Sequence, residues 1–234
     1  MQKIHFNPVS KLAEQTVPRP KPAREYLPQW YKEMPAFKTP KPQFDLETAE
    51  ANKTLKHCVP FSDAMTMGYI QESWVDMNFE FHEDGTFSFY ESFSPQSINY
   101  RQDPSMPIAP EFHEIEFVFN PQWIPQVPSG YSVLWTHPLN HTDLPFQVLS
   151  GVVDSDKFTQ SLEKSSLPFY MKKSFSGIIP KGTPLFQYIP VKRDVWQSFE
   201  NEYNEEAQRK MGHLVKSKFW GGYKKHFWTK KIYS

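Results

Sequence analysis

Asp154 and Asp156 are the residues whose type and spacing are best suited to chemistry in this 234-residue chain. They end the run Gly151-Val152-Val153-Asp154-Ser155-Asp156, where an apolar strand meets a polar turn. Two carboxylates so placed can orient a water, hold a divalent cation or accept a sugar hydroxyl. They can equally form an ordinary Asx turn. Facing them in the pattern is Gly182-Thr183-Pro184-Leu185-Phe186-Gln187, a sharp turn that re-enters an apolar strand with an amide in its middle. A buried Gln needs hydrogen-bond partners, so Gln187 is either a structural bridge or a ligand contact. A second constellation, His141-Thr142-Asp143, has the spacing of two legs of a facial triad for iron(II). That triad needs a distal histidine on a late strand. The histidines downstream are His213 and His226, which fall in a helical stretch and in the tail, so Fe(II) is disfavoured and a plain loop preferred.

The elements that must position these residues read as mainly β. Aromatics make up 16% of the chain, and 22 prolines argue against extensive helix. The stretch Val148–Val191 is expected to carry the framework. Phe79 and Phe81, then Asp84-Gly85, then Phe87 and Phe89 alternate about a short turn and predict a β-hairpin. His113–Asn120 puts Ile115, Phe117 and Phe119 on one face and predicts a strand with a polar opposite face. Tyr131–Trp135 and Leu144–Val153 read as further strands. The first 60 residues hold nine prolines and suggest an arm, with packing over the chain's own core preferred over gripping a partner. Residues 45–56 suit a short polar helix or a connecting loop. Asp194 suits an N-cap. Val195, Phe199, Tyr203, Ala207, Met211 and Leu214 recur at helical spacing, predicting one long helix over 194–217. The expected organisation is a Pro-rich N-terminal arm (1–57), a β-barrel core (58–193), the helix (194–217) and an aromatic, basic tail (218–234).

Charge balances at 26 bases and 26 acids, which gives no overall pull toward nucleic acid or membrane. The balance hides an asymmetry: Lys216–Ser234 carries six lysines and no acid. Interleaved with Phe219, Trp220, Tyr223, Phe227, Trp228 and Tyr233, these lysines could clamp single-stranded nucleic acid. A strap laid over the acidic body is preferred, because so many free aromatics would aggregate. The single cysteine, Cys58, suits a reducing compartment, and neither a signal peptide nor a membrane span is apparent. A cytoplasmic protein, in a host cytoplasm or a virion if viral, is expected.

Two resemblances follow from particular motifs. Gly151–Asp156 with Phe158 resembles the dUTPase motif G-V-I-D-x-D-Y, and Gly182–Gln187 is similar to that family's later G-D-R-I-A-Q strand. The resemblance implies a β-clip or jelly-roll-like barrel, with Asp154 as the catalytic, water-orienting residue. It further implies Phe158 as the sugar platform, Gln187 near the phosphates and, for an active enzyme, Mg²⁺ and a trimer. The chain departs from the family at its R-S-G phosphate motif, where Thr136-His137-Pro138-Leu139-Asn140-His141-Thr142-Asp143 stands instead. The C-terminal flap is matched only loosely, by Phe219-Trp220-Gly221-Gly222. A broader set resembles an uncharacterised family of tailed-phage and bacterial proteins: C-x-P-F-x-D-A-M-x-x-G-Y (Cys58–Tyr69), P-x-G-Y-S-x-L (Pro128–Leu134), G-V-V-D-x-D and G-T-P-L-x-Q-x-x-P-x-K-R (Gly182–Arg193). The expectation is a non-catalytic β module, in a homo-oligomer, that binds a small ligand such as a nucleotide or a protein partner. Its ligand-facing residues would be Asp154, Asp156, Phe158, Gln187 and Gly182, with His141 and Asp143 as the weaker metal alternative. A virion assembly protein and a dUTPase-like pyrophosphatase are the alternatives.

Overall fold

In the computed structural model, which describes residues 2–45, 50–93, 96–158, 166–216 and 221–234, the proline-rich start of the chain is part of the body. β1 (His5–Pro8) leads to α1 (Lys11–Thr16), whose N-cap Ser10 accepts from the Ala13 amide. β2 (Lys21–Pro22), a 3-10 turn at Ala23–Tyr26 and α2 (Gln29–Glu33) follow. Ala13, Val17, Ala23 and Tyr31 are buried, so this stretch fills core volume of the same chain. Between residues 45 and 56 the described residues form two short strands, β3 (Phe44–Asp45) and β4 (Glu50–Ala51), with a 3-10 turn at Leu55–His57. Residues 46–49 lie outside the described set.

A helix absent from the sequence reading, α3 (Val59–Thr66), begins with Pro60 in its first turn, where the missing N–H costs nothing. β5 (Tyr69–Glu72) comes next, and then the hairpin of β6 (Met77–Phe81) and β7 (Phe87–Glu91), which pairs Phe81 with Phe87 and Phe79 with Phe89 as the alternation predicts. β8 (Ile98–Arg101) and β9 (Glu116–Phe119) are antiparallel. The second face of β9, expected to be polar, is buried instead. Val118 packs inside, and the fully buried Glu116 accepts from Arg101 and from the Ser105 amide at 2.8 Å. A carboxylate survives there because both of its oxygens find donors, one of them the Arg101 cation.

β10 (Trp123–Gln126) pairs with β1, and β11 (Tyr131–Thr136) follows. Leu144–Val153, read as one strand, is two: β12 (Phe146–Val148) and β13 (Gly151–Val153), which belong to different sheets. The chain turns out at Leu149, whose amide donates to Pro168 O at 2.9 Å, and at Ser150, whose hydroxyl bonds Thr136 at 2.7 Å. β14 (Leu167–Met171), β15 (Gly177–Ile179) and the long β16 (Pro184–Lys192) complete the strands.

The strands form a five-stranded sheet ordered β13-β11-β16-β5-β2, a four-stranded sheet β12-β14-β9-β8, a three-stranded sheet β15-β6-β7 and two two-stranded ladders. All their pairings are antiparallel. The expected single closed barrel is not formed by the described strands, because these ladders end at separate edges instead of pairing round. The sheets are joined through side chains. Phe119 stacks on Phe169 at 3.9 Å and meets Phe186 of the five-stranded sheet at 5.8 Å, while Phe79 reaches Phe117 at 5.2 Å. Stacked and edge-to-face aromatic pairs of this kind add to the burial energy of each ring.

The C-terminal helix is shorter than its periodicity predicts. α4 runs over Glu205–Lys216, capped by Asn204, whose Oδ1 accepts from the Ala207 amide at 2.9 Å. Asp194 is not a cap; it pairs with Lys192 at 2.8 Å. Residues 194–204 are irregular, and Trp196 (87%), Phe199 (79%) and Tyr203 (79%) are exposed, with Val195 wholly so. An amphipathic helix is stabilised mainly by burying its apolar face, and among the described residues no surface covers that face here. α5 (Gly222–His226) then packs Gly222 against the end of α4, where a Cβ would lie 2.0 Å from Val215 O. Among the described residues no helix is long and apolar enough to cross a membrane.

Candidate functional site

The two halves of Val148–Val191 do not pair with each other; β13 and β16 flank β11 on opposite sides. At the β13 end the chain turns, with the Lys157 and Phe158 amides donating to Asp154 O at 3.0 and 2.9 Å. This corner is closed by Arg193, just past β16. Its guanidinium pairs with Asp154 at 2.9 Å, donates to Asp156 Oδ1 at 3.0 Å and to Ser132 Oγ at 3.2 Å, and bonds Asp156 Oδ2 through Nη2. Ser132 Oγ donates to Asp154 at 2.7 Å, and the Gly130 amide donates to Asp156 at 3.1 Å. The Arg193 amide returns a bond to Gly130 O at 2.8 Å. The bidentate fork thus ties together the turn after β13, the start of β11 and the end of β16.

This arrangement decides what the carboxylates can do. Asp154 is held below its ordinary range by the Ser132 hydrogen bond and by Arg193. Asp156 is held below its range chiefly by Arg193, with the Gly130 amide assisting. A general base works best with a pKa near the operating pH, and both groups are moved the other way. Asp156 is 4% exposed at its side chain, whereas Asp154 is 59% exposed.

Arg193→Met is therefore expected to lower the melting temperature at neutral pH, because Asp156 loses its charged partner and keeps only backbone donors. A carboxyl whose folded pKa is depressed gives stability above its unfolded value, here 3.8, and loses it as pH falls through the folded value. The melting-temperature gap between the parent and Arg193→Met should consequently close as pH is taken below 3.8, which a thermal melt series checks.

Phe158 lies in the same turn as Asp154 and is half-buried. Gln187 is elsewhere and fully enclosed. Its Oε1 accepts from the Leu139 amide at 2.8 Å, and its Nε2 donates to Ala64 O at 3.2 Å and Met67 O at 2.6 Å. It therefore satisfies carbonyls left open at the end of α3. Along β16 it stands four residues from Val191, the partner of Ser132, or about 13 Å. Gly182 lies beyond the far end of β16, with φ +88° and its amide donating to Ser73 O at 2.8 Å. The structure brings together Asp154, Asp156 and Phe158, and leaves Gln187 and Gly182 apart from them.

His141 is buried while Asp143 is exposed, and among the described residues no group of three His, Cys, Asp or Glu stands close enough to hold a metal. The neighbouring His137 Nε2 bonds His141 O at 3.1 Å, and its Nδ1 accepts from the Val148 amide at 3.4 Å, which selects the Nε2–H tautomer. Burial pushes His141 down to about 4, opposed weakly by Asp143. Stability contributed by its neutral form is present above 6.5 and lost as pH falls toward 4. Its full loss amounts to about 3 kcal/mol. His141→Gln is expected to shrink the fall of the denaturation midpoint across that window, the remainder coming from His137, which burial also pushes down.

The tail returns to the body. Trp228 Nε1 and Lys231 Nζ both reach Asp63 Oδ2, at 2.8 and 2.6 Å, and the Tyr233 ring meets Tyr69 edge-on at 5.9 Å. Lys224, Lys225 and Lys230 stay exposed. Phe219 and Trp220, invoked in the flap and tail readings, fall outside the described residues together with Lys218. A groove of about 680 Å³ beside β7 and β8 is lined by Phe87, Phe89, Gln96, Tyr100, Gln102 and Ile115, among other residues. Its lining contains no acid, lysine, arginine or histidine.

Two features escaped the sequence reading. Arg193 sits within a quoted motif, but nothing local says that it faces residues 37 and 39 positions earlier. The exposed aromatics at 196–203 were assigned to a helix. The usable signal was their company, five acids and no base over residues 194–206, which is poor material for a buried face. Neither a scan of known protein families nor a search of curated proteins finds a match to this chain.

Proposed function

We propose that this chain is a non-catalytic β module that works by docking a protein partner through the arm at residues 194–204. The observation that carries the reading is the exposure of Trp196, Phe199 and Tyr203 on a segment that leaves the body at the Arg193 clasp, the chain being tied back to the body after α4 and α5, at Trp228 on Asp63. Solvent-exposed clusters of large apolar side chains mark interaction surfaces. Aromatics are also the side chains that dominate interface energetics. The engagement of Asp154 and Asp156 by Arg193, and of Gln187 by backbone groups, supports the non-catalytic part of the reading. Membership of the tailed-phage and bacterial family, a jelly-roll ancestry for the β sheets and a role in particle assembly belong to the same proposal. The family membership rests on the ordered motifs from Cys58 to Arg193, the jelly-roll ancestry on the likeness of Gly151–Phe158 and Gly182–Gln187 to dUTPase motifs, and the assembly role on the exposed arm.

Two measurements test it together. Chymotrypsin should cut the dilute chain quickly within 196–203, and Trp196→Ser/Phe199→Ser should leave the melting temperature of the dilute chain unchanged. Protection of the arm with a lowered melting temperature would mean that these rings serve the chain's own core. A nucleotide panel with Mg²⁺ should give no thermal shift; a shift abolished by Asp154→Asn would favour the pyrophosphatase reading instead.

A further inference from the structure

Resting on that reading, we propose that the partner of the arm is a second copy of this chain, and that the arm docks on the lysine-rich face of its α5 and tail. The arm and the residues that begin α4, 194–206, carry Asp194, Glu200, Glu202, Glu205 and Glu206 with no base. Residues 221–231, which hold α5 and the start of the tail, carry four lysines with no acid. Each is the strongest single-sign run of its region, and the two are opposite in sign. Both also display rings. On α5, Tyr223 and Phe227 are 40% and 37% exposed, their rings 6.2 Å apart, flanked by the exposed Lys224 and Lys225. The arm does not satisfy this surface within one chain, since Phe199 and Tyr203 remain 79% exposed.

Size is consistent with a second copy. Three aromatics burying about 150–250 Å² each supply on the order of 600 Å² per arm. Two reciprocal arms then reach roughly 1,200 Å², the lower end of specific interfaces, before the receiving surface is counted. A contact between unlike patches of identical chains closes as a reciprocal dimer or a ring. Lys231 takes no part in it, being held by Asp63.

The test uses the full chain and light scattering coupled to size exclusion, up to about 100 µM. A closed oligomer is expected. Trp196→Ser/Phe199→Ser should convert it to monomer. Glu200→Lys/Glu202→Lys and Lys224→Glu/Lys225→Glu should each weaken association roughly ten-fold at low salt, and combining all four should restore it. Circular dichroism melts check that these exposed substitutions leave the fold intact. A chain that stays monomeric while chymotrypsin cuts its arm overturns the second-copy assignment and leaves arm docking standing. A monomer with a protected arm overturns both. An oligomer indifferent to the arm substitutions, or charge reversals that do not rescue each other, also overturns the assignment.

Discussion

Replacing Gln187 with leucine should cost this protein about 3–5 kcal/mol of stability, because three backbone groups lose their partner in a dry site and each orphaned group costs about 1–3 kcal/mol. The groups are the Leu139 amide and the Ala64 and Met67 carbonyls, all bonded to one fully buried amide. Leucine has a similar volume, so the effect reports the hydrogen bonds more than a cavity. Urea unfolding measures it directly, with an unchanged slope showing that the fold is retained. Had Gln187 served a ligand, the same substitution would leave stability nearly untouched and alter binding alone. Gln187→Glu should be no milder, since a carboxylate offers two acceptors where two carbonyls need donors.

A larger effect is expected at Gly68. This residue follows the last turn of α3 with φ +70°, the left-handed conformation that glycine commonly supplies at a helix end. A Cβ here would meet Tyr188 O at 2.1 Å and Tyr188 C at 3.0 Å. Those atoms are main chain of β16, which pairs Tyr188 with Tyr69 in the next position. Gly68→Ala thus incurs two costs: about 1–2 kcal/mol for the left-handed conformation, and a collision relieved only by moving a central strand. A total of about 4 kcal/mol or more is expected, most of the stability of a domain at the low end of the ordinary range. Gly130→Ala is the control. It has φ +84° with nothing within 4 Å of its Cβ, so it meets only the conformational cost. The difference between the two variants in denaturant midpoint isolates the collision. Equal effects would mean that the Tyr188 backbone gives way.

Much of the fold follows from local pattern. The Phe79–Phe89 hairpin could be read because alternation and Asp84-Gly85 are both short-range properties. The aromatic spine of β9 was legible for the same reason, and so was the need of Gln187 for buried partners. What failed were inferences in which a local pattern depends on a distant surface. Val195, Phe199 and Tyr203 have helical spacing, yet residues 194–204 form no helix because none of the described residues covers their apolar face. Leu144–Val153 has the composition of one strand, but its halves found partners in two sheets.

Asp154 and Asp156 show the same division at the candidate site. Residue order by itself determined that two acids stand where an apolar strand ends in a polar turn. Only the tertiary structure decided their state, because the cation that lowers their pKa comes from Arg193, brought beside them by the pairing of β11 with both β13 and β16. A carboxylate's chemistry depends on charges within a few ångströms, and those are set by sheet order rather than by neighbours in the chain.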